Sequence, residues 1–137
     1  MPGVRPLAAV LAAAVAIGSA GCAKTLPEQD RRILEATAAA KLSTDDIWKD
    51  YQQNRADADA RYWGRAVEVS GKVLSVVKDR KELLFGEAAD NPHVRASLLD
   101  DQAEAILGTA AEGQRVRLKC FCAGVEKVVI LKSCVKP

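Results

Sequence analysis

The sequence predicts an all-β domain with a flanking helix: a closed five-stranded barrel preceded by an amphipathic α-helix. Apolar and polar residues alternate in separate runs between 65 and 134, the period of strands with one buried face. One short helical stretch, 100–107, falls between the third and fourth runs. About 95 foldable residues remain beyond the N-terminal segment, enough for one small domain. Closure suits so short a chain because it removes exposed strand edges. The order helix, long strand, two strands, short helix, two strands is that of a five-stranded OB-fold barrel. An open five-stranded antiparallel sheet with helices on one face is the alternative.

Residues 1–21 read as an export signal. Arg5 gives a basic start, Leu7 to Ile17 is an uncharged apolar run, and Gly18-Ser19-Ala20-Gly21 is a small-residue cleavage region. The apolar run is shorter than the roughly 20 residues of a lasting membrane helix. Cys22, directly after Ala20-Gly21, resembles the acylated cysteine of a bacterial lipobox, although Ser19 stands where an apolar residue is usual. The expected partner of an acylated, palmitate-bearing Cys22 is the lipid bilayer. The expected place is the cell envelope on the periplasmic side, at the outer membrane if the cell has one, because Ala23 and not Asp follows. Residues 22–41 read as a tether with too few large apolar side chains to pack firmly, and 42–137 as the OB-fold domain.

The elements follow in order. Ser43-Thr44-Asp45-Asp46 starts a helix, with a hydroxyl for the free amides and carboxylates for the positive helix end. Ile47, Tyr51, Ala58 and Tyr62 share one face of a single helix of about four turns, and Gly64 stops it. Trp48 lies beside them, and these aromatics read as plugs on the domain. Arg65 to Val77 is a long strand with Val67, Val69, Gly71 and Val73 inward, and Gly71 marks a bend or bulge. Glu82–Phe85 and His93–Leu98 follow, the latter with Val94, Ala96 and Leu98 inward. A helix capped by Asp100 or Asp101 ends at Gly108, and strands 115–122 and 128–134 close the fold.

Asp50-Tyr51, Asn54, Ala56-Asp57, Tyr62, Gly64 and the run Val67 to Val73 resemble the opening of the tRNA_anti-like family. So do Gly113-Gln114-Arg115-Val116, Cys122-x-Gly124, Val129-x-Leu131 and Cys134 at the close. The resemblance covers about residues 42–135 and departs at Cys120, where a small residue is usual. It implies a small exported OB domain and brings no catalytic residues with it.

With Cys22 acylated, Cys120, Cys122 and Cys134 remain in an oxidising compartment, giving one disulfide and one thiol. The last two strands form a hairpin in which Cys122 and Cys134 can approach, and the resemblance points to the same pair. Cys122–Cys134 is the expected bond. Residue parity sets Cys134 opposite Leu131, so a bulge, or pairing with Cys120, stays open. A metal site from Cys120, Cys122, Cys134 and His93 is the weaker reading, because C-x-C is not the usual zinc spacing. No metal or other cofactor is expected.

Net charge is only +2, and there is a single histidine. No Ser/His/Asp, metal or phosphate-loop pattern appears, so the expectation is a non-catalytic binding or scaffold domain. Arg115, Arg117, Lys119 and Phe121 share one strand face and form the candidate ligand surface. It would meet an envelope protein or another anionic partner. Single-stranded nucleic acid is the alternative, although export argues against it and few aromatics are available for stacking.

Overall fold

The computed structural model describes residues 26–137. The expected signal peptide, 1–21, and Cys22 lie outside these residues. A short strand β1 (Ala40–Ser43) leads into helices α1 (Thr44–Gln53) and α2 (Arg55–Tyr62). Strands β2 (Ala66–Val77), β3 (Glu82–Ala88) and β4 (Asn91–Leu98) follow, then α3 (Asp100–Thr109), β5 (Arg115–Glu126) and β6 (Val128–Val135). Pairing runs β2-β3-β4-β6-β5 and returns from β5 to β2, so five strands close a barrel of OB connectivity, as expected. Within it β4 and β6 are parallel and the other pairs antiparallel. Strand β1 adds outside the barrel, parallel to β2, a pairing that no sequence pattern announced.

The length of β2 is explained by its two partners. Residues 66–72 pair with β5, and from Val73 onward the strand pairs with β3. The register shifts between Val73 and Ser75, so the bulge falls after Gly71 and turns Val76 toward the core. Gly71 has another purpose. A Cβ there would lie 2.3 Å from Thr44 Oγ1 and 3.0 Å from the Phe85 ring, so only glycine lets the start of α1 seat on the barrel.

The expected single helix is two. Asn54 is extended (φ −159°, ψ 103°) and its side chain accepts a hydrogen bond from Asp57 N, capping α2. A side chain able to bond its own backbone competes with helical pairing, and here it wins. The apolar face survives the break: Ile47, Tyr51, Ala58 and Tyr62 are all buried in the main core. Neither aspartate caps α3. Leu99 is its N-cap residue, and the free Asp100 amide donates to Gln29 Oε1 at 2.7 Å.

Gln29 belongs to the stretch read as a tether, and residues 26–39 are instead a packed strap. Asp30 caps a single 3₁₀ turn, Arg31–Leu34. Ile33 is fully buried against Ala66, Leu99, Phe121 and Val135 in a second, outer core. Ser133 Oγ accepts from Asp30 N at 2.8 Å and donates to Glu28 O at 3.2 Å. Ile33, with Leu26 and Ala36 packed beside it, suffices because an apolar patch on the barrel wall receives them.

The disulfide joins Cys120 to Cys134, not Cys122 to Cys134. Phe121 pairs with Lys132 and Cys122 with Leu131, so Cys122 has no cysteine opposite. Ser133 then takes a left-handed conformation (φ 57°), and Lys119 pairs with Val135. That one-residue irregularity reverses the parity of β6 and turns Cys134 inward beside Cys120. Cys122 remains a buried free thiol.

Candidate binding cleft

The four residues of the expected ligand surface do not form one open face. Phe121 is buried beneath the strap, with the Arg32 guanidinium 5.9 Å from its ring centroid. Lys119 Nζ donates to Ala36 O at 2.8 Å. Arg117 lies 3.9 Å from the Glu68 carboxylate. Arg115 opens onto a cavity that also holds aromatic and basic side chains of α1 and β2.

That cavity is a cleft of about 500 Å³ where α1 begins. Its walls are Thr44, Trp48 and Lys49 of α1, Gly71 and Lys72 of β2, Glu87 of β3, His93 of β4 and Arg115 of β5. The sheet sets this assembly, since Lys72 and Arg115 are register partners across the β2–β5 seam. The seating of α1 over Gly71 brings Trp48 to the same place. Trp48 and His93 stack face to face, with centroids 4.5 Å apart and planes 1° from parallel.

His93 is buried, and its Nδ1 has no hydrogen-bond partner. Among the described residues, Lys49, Lys72 and Arg115 make no ion pair, as is also true of Lys41, Arg55, Arg65, Lys78, Arg80, Lys119, Lys127 and Lys136; what sets the three apart is that they line one cleft. Asp45 and Glu87 line the same cleft and bring two carboxylates into it. Three uncommitted cations, an imidazole and an indole edge suit an anionic group with a flat or apolar portion.

The remaining aromatics hold structure, as their periodicity implied. Tyr51 Oη donates to Asp59 at 2.8 Å and lies 3.5 Å from Cys122 Sγ. Tyr62 Oη donates to Asp50 at 2.6 Å. Burial first, then the neighbouring thiol and the Asp59 carboxylate, push the Tyr51 phenol far above its ordinary range. Burial and Asp50 raise Tyr62 to about 12. Burial likewise pushes the Cys122 thiol up, outweighing the Tyr51 hydrogen bond, so it is a poor nucleophile. The weaker reading of a metal site loses two of its ligands to the Cys120–Cys134 bond.

Sequence reasoning missed Trp48, Lys49, Lys72 and His93 as a group. They come from three elements, and Trp48 sat beside a packing face that accounted for it. The paired glycines offered a signal, since Gly71 and Gly86 both line the cleft and both meet close neighbours where a Cβ would stand.

The closed barrel and the cleft beside its leading helix define an OB-type domain. The chain belongs to the tRNA_anti-like family, whose model matches residues 4–135. Among solved structures it is similar to a lipoprotein from Klebsiella pneumoniae proposed to bind nucleic acid, at a TM-score of 0.56 and 14% identity. The match covers 80% of this chain and 98% of that one, and at this identity it speaks for the fold. No curated protein matches the chain.

Proposed function

We propose that this chain is an exported lipoprotein, anchored in the cell envelope through acylated Cys22, whose OB domain binds an anionic ligand without catalysis. The observation that carries the reading is the cleft. Lys49, Lys72 and Arg115 converge there without ion pairs, beside the Trp48–His93 stack. The matched stretch 4–135 takes in the apolar run and Cys22, which supports treating the anchor and domain as one design. A carboxylated or phosphorylated envelope component fits the cleft chemistry, with the outer membrane as its place where the cell has one.

Single-stranded nucleic acid is the second reading, favoured by the description of the Klebsiella protein. One titration separates the two. A thymidine oligonucleotide and an acidic oligosaccharide are each added to the purified protein over a range of salt. An oligonucleotide neutralised by three cations loses affinity with a log–log salt slope of about −2. We expect the oligosaccharide to bind and Lys72→Glu with Arg115→Glu to weaken it at least tenfold. Preference for the oligonucleotide establishes the second reading. Retention of full affinity by the double variant removes the cleft as the site.

A further inference from the structure

We propose that the outer face of the strap, which carries Leu34, rests against the surface of a lipid bilayer, and that this turns the Trp48 cleft toward the aqueous side. The inference rests on acylation of Cys22 and adds to it an orientation.

The strap leaves almost no slack. Leu26 already packs against the outer core, and its carbonyl accepts from Lys132 Nζ at 3.3 Å. Cys22 is four residues earlier. Fully extended, four residues span at most about 14 Å. A domain of about 110 residues has a radius of gyration of about 13 Å, so the link is shorter than the domain is wide. The barrel cannot turn freely on such a link, and the surface around Leu26 stays near the membrane.

Two features of that surface suit it to lipid. Among the described residues, Leu34, 37% exposed, is the most open of the large hydrophobic side chains. It follows Ile33, which is fully buried, so the turn presents one apolar residue to the core and the next outward. Most charges of the strap are paired: Arg31 with Asp101, Arg32 with Asp30 at 2.6 Å and Glu28 with Lys132 at 2.9 Å, which leaves Glu35, exposed beside Leu34, as its one charge without an ion pair. A strap with a single unpaired charge meets a headgroup layer with a small electrostatic penalty. The short link and the leucine hold it there, so its association is insensitive to salt.

The cleft lies elsewhere. Arg115 stands six residues along β5 from strap-covered Phe121, about 20 Å of strand. A ligand arriving from the aqueous side reaches Trp48 without crossing the membrane-facing surface.

The test uses the full chain, extracted from membranes and reconstituted into phosphatidylethanolamine–phosphatidylglycerol vesicles. A second version carries a flexible insert of about 20 Gly/Ser residues after Thr25, which gives a reach of about 25 Å. Amide hydrogen exchange is compared between the two. We expect exchange across residues 31–36 to be at least fivefold slower with the native link, and exchange at the start of α1 to be the same. Leu34→Asp in the native-link chain should remove most of the slowing. Equal strap exchange in an acylated pair, or slowing at the cleft instead, overturns the orientation and leaves the anchor standing. An intact mass without acyl chains on Cys22 overturns both.

Discussion

Only two tyrosines exist in this chain, and both are buried and donate a hydrogen bond to an aspartate. Tyr62 is raised to about 12 from 10.0, and Tyr51 moves further in the same direction. A tyrosine whose folded pKa lies above its unfolded one contributes stability that is full below about pH 10 and lost as pH rises through 12. A 295 nm titration of the folded protein should therefore show no phenol ionising near pH 10, with ionisation and unfolding arriving together at higher pH. A normal transition near 10 for either tyrosine would contradict the buried pairs. The plugging role of these rings was legible in their spacing. Their acceptors were not, because Asp59 reaches Tyr51 only after Asn54 breaks the helix. The disulfide partner was hidden for a similar reason: one left-handed serine, Ser133, resets the parity of a whole strand end.

The seam between α1 and β2 depends on a missing side chain. Gly71→Ala places a methyl against Thr44 and Phe85, and overpacking of this kind costs about 1–3 kcal/mol. The expected melting temperature falls several degrees, and the Trp48–His93 stack loosens with it, visible as altered tryptophan fluorescence. Gly108→Ala is the control. It sits in α3 with open space around it, and it should be neutral or stabilising by up to about 1 kcal/mol. Equal losses at both positions would deny Gly71 its special place. The strands themselves were readable because alternation depends only on which side faces the barrel. Strand ends, the bulge after Gly71 and the two-helix break depend on neighbours that are distant in sequence.

The barrel has a second core on its outside, and the strap completes it. Ile33→Ala should cost about 2–5 kcal/mol, lower the urea midpoint and uncover Phe121. An unchanged midpoint would mean that the strap lies loosely on the wall. Composition could not announce this packing, since residues 22–41 contain few large apolar side chains and the wall that receives Ile33 is built from residues 66, 99, 121 and 135. The binding face was misplaced for the same reason: Arg115, Arg117, Lys119 and Phe121 alternate as a ligand surface would, but the strap lies across Lys119 and Phe121.

Ser133 fastens the strap from 103 residues away, bonding Asp30 four residues before the chain ends. A polypeptide made from its N-terminus presents the strap first and its latch last. The strap therefore waits, unsecured, until the final strand has emerged. A chain cut short before Ser133 loses the closure, so a truncated product is open to proteases where Ile33 would otherwise be buried.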